Sequence, residues 1–225
     1  MSSFNLSIIV PVYNEAAQVE KLIRRLRLLN DDLVTDIIIV DGGSTDNTVE
    51  CLSEHFNVMS SGKGRANQMN TGANQAKGTW LMFLHADTEI SPSHIEYAIT
   101  SAALRKWGRF DVRLSGAGLA FRVIERFINW RSRLTGVATG DQCMFVRKKV
   151  FDELGGFKTI PLMEDVELSK RLKKQGKPAC LRKPVVTSSR RWEEYGTVKT
   201  VLLMWKLRYL FWRGVSPQEL AKLYR

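Results

Sequence analysis

Short apolar runs alternate with helical repeats over the first half of the chain. Residues 7–12 (SIIVPV) and 36–41 (DIIIVD) are continuous β-branched stretches. That pattern fits strands covered on both faces of a parallel sheet. Between them Val19, Leu22, Ile23, Leu26 and Leu29 recur at helical spacing, so residues 16–29 complete a βαβ unit. Thr45 or Asp46 can cap a second helix reaching to about His55. Residues 57–60 read as a third short strand and 65–76 as a third helix. Residues 79–84 (TWLMFL) form a fourth buried strand that ends at His85-Ala86-Asp87. Pro92 suits the first turn of a helix running to about Arg105.

The alternation then changes. Residues 109–114 alternate polar and apolar, which predicts a half-exposed strand. Residues 121–134 predict an Arg-rich amphipathic helix, 142–146 a strand, and 148–154 a short helix stopped by Gly155-Gly156. Residues 163–175 predict a helix with acidic side chains in its first turn, where the helix dipole favours them. A long aromatic-rich helix over 196–213 is stopped by Gly214, and Ser216-Pro217 opens a last short one. The sum is an α/β fold in a single domain. It has an open, mostly parallel sheet flanked by helices, a mixed second half and a helical C-terminal tail. In such sheets the ligand lies beyond the carboxyl ends of the strands, where Glu15, Asp41 and Asp87 stand.

Composition narrows the class. The 225 residues are 44% hydrophobic and 25% charged, which is ordinary globular composition. No apolar stretch reaches membrane-spanning length, and the N-terminus lacks the basic region of a signal peptide. Cys51, Cys143 and Cys180 form no CxxC pair, which argues against a disulfide framework or a structural zinc site. These features predict a reduced, cytoplasmic protein. The charge is uneven: residues 1–104 sum to −5 and residues 105–225 to +16. The basic half suggests an anionic partner, or is simply a solvated surface.

Several residues could carry chemistry. Asp41-Gly42-Gly43-Ser44 either brings backbone and a carboxylate close to a base or ribose, or forms a turn that caps the next helix. Neither GxGxxG nor the P-loop spacing is present, although Lys63 and Arg65 can still meet phosphates. Asp87 ends a very apolar strand, where a divalent cation bridging to a diphosphate would offset its charge. His85 adds a ligand or forms a structural pair with it. Glu164-Asp165 either complements a helix dipole or holds a general base.

Six motifs in order resemble the family 2 glycosyltransferases, which have the GT-A fold. They are residues 10–15 (VPVYNE), 40–46 (VDGGSTD), 70–72 (NTG), His85-Ala86-Asp87, Gly155-Gly156-Phe157 and Glu164-Asp165. Arg190-Arg191-Trp192 and the tail are similar to a compact bacterial subgroup. The resemblance implies inverting transfer from a nucleotide-diphospho-sugar, usually a UDP-sugar, to a hydroxyl or carboxyl acceptor. A lipid or carotenoid-like acceptor is one form of it. By motif position, Pro11, Tyr13 and Asp41 hold the base, and Glu15, Gly42, Ser44, Lys63, His85 and Ala86 complete the donor side. Arg65 sits near the diphosphate, Asp87 coordinates Mg²⁺ or Mn²⁺, Asp165 is the base and Glu164 supports it. The family usually has an acidic residue where His85 stands, which bears on metal preference. Asp141, Gln142, Arg190, Arg191 and Trp192 are candidates on the acceptor or phosphate side. On this reading 1–104 is the donor half, 105–195 the acceptor half and 196–225 the tail.

The apolar arc of residues 198–213, with Lys199, Lys206 and Arg213 on its rim, suits the core or a partner subunit, or a membrane interface on its inner face. Two rival classes remain. A nucleotidyltransferase would place a Gly-rich basic signature after the first strand, and Asn14-Glu15-Ala16-Ala17 lacks it. A non-catalytic basic protein binding nucleic acid would explain the charge, but no recognised motif accompanies it.

Overall fold

A computed structural model describes residues 5–29, 32–102 and 104–224. The signal-peptide expectation rests in part on residues 1–4, which lie outside that set. So does residue 103, on the predicted extension of the Pro92 helix.

Seven strands form one sheet in the order β3-β2-β1-β4-β6-β5-β7. β1 (Leu6–Val12), β2 (Val34–Asp41), β3 (Val58–Ser60) and β4 (Trp80–Phe83) are mutually parallel. The β-branched runs form them because both faces are covered. β1 points Leu6, Ile8, Val10 and Val12 into one layer, packed with Leu22, Ile23 and Leu26 of α1 (Val19–Arg27). It points Ile9 into the other, against Met69 and Ala73 of α3 (Arg65–Gln75). α3 lies so close that a Cβ on Gly72 would stand 2.6 Å from an Ile9 methyl. α2 (Thr48–Ser53) and α4 (Pro92–Ala102) complete the first half, with Pro92 the first helical residue. α2 starts at Thr48, whose N–H is accepted by Asp46 at 3.1 Å.

The second half adds β6 (Phe145–Arg147), antiparallel to both β4 and β5 (Trp107–Leu114). β5 is not half-exposed: it is an interior strand, and Arg109 is fully buried. The reason is β7 (Ala179–Thr187), parallel to β5 and absent from the sequence-based expectation. β7 carries Arg182, Lys183 and Pro184 in mid-strand. An edge strand tolerates proline, and the register shift between Phe110 and Asp111 falls beside Pro184. The predicted strand over 142–146 begins at Phe145. Its first residues instead form a 3₁₀ turn, Gly140–Gln142, closed by a capping box between Thr139 and Gln142.

α5 (Leu119–Thr135) packs on β5 and ends at Gly136, whose φ of 63° terminates it. α6 (Lys148–Glu153), α7 (Glu164–Leu172), α8 (Arg190–Tyr195), α9 (Thr197–Trp212) and α10 (Pro217–Tyr224) follow. One side of α9 is core: Leu207 is buried in a cluster with Met163, Val166 and Leu220. Its other side is not. Val198, Leu202, Trp205, Tyr209 and Trp212 are exposed, as are Leu119, Val123, Phe127, Trp130 and Leu134 of α5.

Candidate active site

The cleft lies beyond the carboxyl ends of β1, β2 and β4, as strand polarity requires. Its floor is set by Gln68 of α3, a buried side chain that sequence reading passed over. Gln68 donates to the carbonyls of Val12 and Val40 at 2.7 and 2.8 Å, clamping the two strand ends together. A Cβ on Gly42 would stand 3.0 Å from it, so the glycine permits that clamp. Asp41 is buried and turned onto its own loop, accepting from Gly43 N, Ser44 N and the Ser44 hydroxyl. Ser44 in turn accepts from Asn14 N at 2.9 Å. Asp41 and Ser44 thus fix the shape of the loop. Pro11 is buried within β1 beside Val40. Tyr13 is exposed on the rim, with Lys63 Nζ donating to its hydroxyl at 3.0 Å and lying 4.4 Å from its ring centre.

A charged group gathers beside this rim. Arg65, the first residue of α3, acts electrostatically on Glu15, His85, Asp87 and Glu164. The protein surrounding Asp87 pushes its carboxyl upward although it reaches solvent. Arg65 opposes that shift and Asp141 adds to it. Glu15 is raised by burial first and then by Asp87. Arg190, exposed at the start of α8, acts on both carboxylates. Ala86 packs on the core.

His85 is explained by a glycine. A Cβ on Gly140 would stand 2.3 Å from the His85 ring, so the ring occupies space that only glycine leaves. The protein around the imidazole pushes its pKa down to about 3, so it is neutral at working pH. The same glycine donates its N–H to Asp165 at 2.8 Å. Asp165 also accepts from Val166 N at 2.6 Å, so both oxygens are anchored while the residue remains half-exposed. Glu164 is buried, and burial followed by the Asp165 charge raises it to about 7. Asn14, Cys143 and Met163 adopt positive φ (52°, 46° and 69°), and each flanks this cleft in sequence. Such backbone strain persists where the surroundings over-determine it.

Two motifs hold each other rather than a ligand. Asn70 donates to Phe157 O at 2.8 Å and accepts from Phe157 N at 2.9 Å, tying α3 to the Gly155-Gly156-Phe157 turn. Arg191 is also engaged elsewhere, donating to Tyr224 O at 2.7 Å and stacking 3.7 Å from the Tyr224 ring. Trp192 is half-buried in α8. Gln142 is buried, and its Nε2, like Asp141 Oδ1, has no partner among the described residues.

The sequence model of glycosyl transferase family 2 matches residues 7–155. The chain belongs to that family. This glycosyltransferase is 29% identical over 171 residues to an undecaprenyl-phosphate 4-deoxy-4-formamido-L-arabinose transferase of Pseudomonas fluorescens. The match covers 66% of this chain and 48% of that protein. The chain spans about half the length of the curated relatives it matches. Its fold is that of the GT-A enzymes. A mannosyltransferase of Pyrobaculum calidifontis, in complex with GDP-Man and Mn²⁺, superposes with a TM-score of 0.64 at 20% identity, over 81% of this chain and 56% of that one. Staphylococcus aureus TarS 1–349, in complex with UDP-GlcNAc, gives 0.63 at 17%, over 82% and 58%.

Proposed function

We propose that this enzyme transfers a sugar, with inversion, from a nucleotide-diphospho-sugar to a hydroxyl or carboxyl group of a lipid acceptor. The observation that carries the reading is the convergence of Arg65 on Glu15, His85, Asp87 and Glu164. The Arg65 charge reaches Glu15 and Asp87 on the donor side and Glu164 of α7. The base of a UDP-sugar stacks at Tyr13 and Lys63, in the loop shaped by Asp41. Its diphosphate lies along Arg65 and Arg190. Asp165 takes the proton from the acceptor oxygen as that oxygen attacks the sugar carbon from the face opposite the diphosphate. Glu164 keeps Asp165 basic by sharing the local negative charge.

The site suits a divalent cation such as Mn²⁺ or Mg²⁺. Asp141 acts on Asp87, and Asp141 Oδ1 is buried without a partner among the described residues. No three His, Cys, Asp or Glu side chains among the described residues group as a metal cage. Asp87 would therefore hold the ion together with donor oxygens. When bound, the ion supplies charge stabilisation to the leaving diphosphate. A panel of UDP- and GDP-sugars with Mn²⁺ tests the reading. Release of the nucleoside diphosphate is expected, whereas release of pyrophosphate would instead make the protein a nucleotidyltransferase.

The lipid enters through the exposed stripes of α5 and α9. Aromatic and aliphatic side chains recur there at helical spacing, with Arg126, Lys199, Lys206 and Arg213 beside them. That composition fits an interfacial helix on an anionic bilayer. No helix among the described residues is long and apolar enough to cross one. Co-sedimentation with vesicles containing phosphatidylglycerol is expected. It should weaken with salt and in the double variant Trp130→Ser/Trp205→Ser. Equal binding to neutral vesicles, or none to either, would remove the membrane from the account.

A further inference from the structure

Among the described residues, Asp141 Oδ1 and Gln142 Nε2 of the Gly140–Gln142 turn are buried without a partner, as is Nη2 of Arg131, whose charge acts on Asp141. Arg131 stands in the last turns of α5, and Arg208 stands in the middle of α9. Each acts on Asp141 and Asp165, and Arg208 acts on Arg131 as well. Neither arginine forms an ion pair among the described residues. Burial lowers both guanidinium groups, Arg131 to about 10, while Asp141 and Asp165 act in the opposite direction on each. Leaving a buried guanidinium N–H unsatisfied is costly and marks a site that awaits an acceptor of hydrogen bonds. Asp165 accepts from Gly140 N and Val166 N and, among the described residues, from neither arginine.

We propose that Arg131 and Arg208 together bind a phosphate group on the acceptor, beside Asp165. Two forks from two helices suit a tetrahedral dianion, which offers oxygens in several directions. The position fits the polarity of the surroundings. Trp130 and Leu134 neighbour Arg131, and Trp205, Tyr209 and Trp212 neighbour Arg208, all on the exposed stripes. A phosphate drawn from a lipid headgroup reaches the pair from that surface, and a free phosphorylated compound reaches it from solvent. The proposal rests on the transfer reading for the role of Asp165.

The probes are dodecyl phosphate, glycerol 3-phosphate and dodecanol, titrated against the full chain with UDP and Mn²⁺ present. Dodecyl phosphate is expected to bind and dodecanol not. Arg131→Gln and Arg208→Gln should each weaken it about ten- to a hundredfold. Arg113→Gln, on an exposed position of β5, should leave it unchanged. Glycerol 3-phosphate binding equally well assigns a soluble phosphate, and binding of the alkyl phosphate alone assigns a lipid one. Both agree with the proposal. Equal binding of dodecanol, or unaltered binding in both variants, overturns it. The melting temperature separates a structural role. Arg131→Gln removes an unsatisfied charge and should melt no lower than the parent. A lower melting temperature with probe binding intact makes the arginine a structural residue and overturns the proposal. UDP binding is read in the same titrations. Its absence from the parent sinks the donor reading, whereas loss of the alkyl phosphate alone in the variants does not.

Discussion

Asp165→Asn abolishes sugar transfer and leaves donor binding in place. Asparagine keeps the side chain's size, and its one oxygen can still accept the Gly140 N–H that ties it to the neighbouring turn, while the Val166 N–H loses its acceptor. What it loses is the capacity to take a proton, worth about 10²–10⁴-fold in rate. Turnover and UDP affinity measured on one preparation check this. Unchanged turnover would remove Asp165 from the mechanism. Burial raises both carboxyls of the pair, Glu164 to about 7. The acid limb of kcat/KM should therefore lie above the ordinary carboxylate range, with activity lost as the pH falls through it. Stability moves the opposite way. A carboxyl raised in the folded state binds its proton more tightly there than in the unfolded chain. The cost of ionising Glu164 is absent below its ordinary value of 4.5 and full above about 7. Glu164→Gln should therefore raise the melting temperature at pH 8 and change it little at pH 4. An equal gain at both would mean that Glu164 titrates normally.

The parallel half was legible because its signals are local. β1, β2 and β4 are apolar runs of strand length, and the α1 stripe repeats within eleven residues. That Glu15, Asp41 and Asp87 gather at one end of the sheet follows from strand polarity alone. β7 was not legible, because an edge strand accepts the charges and the proline that argue against a strand. Missing it also misassigned β5, whose burial is set by a neighbour some seventy residues away. In the site, Gln68, Gly140, Arg131 and Arg208 belong to no motif. Each acquires its role from a partner on another element: strand ends for Gln68, the His85 ring for Gly140, and the Asp141–Asp165 pair for the arginines. A single sequence carries no pairwise signal of that kind. The tail shows the same division. Its periodicity was ambiguous because α9 buries Leu207 on one side and leaves Trp205 exposed on the other.

Asp87→Ala removes the metal-dependent part of nucleotide binding. In the parent, UDP at a hundredfold excess over its Kd stabilises the fold by about 2.7 kcal/mol. For a domain of this size that is a rise of about 5–10 °C in melting temperature. Adding Mn²⁺ should enlarge the rise in the parent and leave it unaltered in Asp87→Ala. Without nucleotide the variant should melt no lower than the parent, because its surroundings disfavour the Asp87 charge and Asp141 opposes it. That pairing separates ligand loss from unfolding. A manganese-dependent shift that persists in Asp87→Ala would move the ion to another carboxylate. Asp141 is the one whose unpartnered oxygen is buried beside the same cleft. His85 cannot supply the missing charge in either case. Its imidazole is neutral and its ring is packed against Gly140, so it can add at most a neutral ligand.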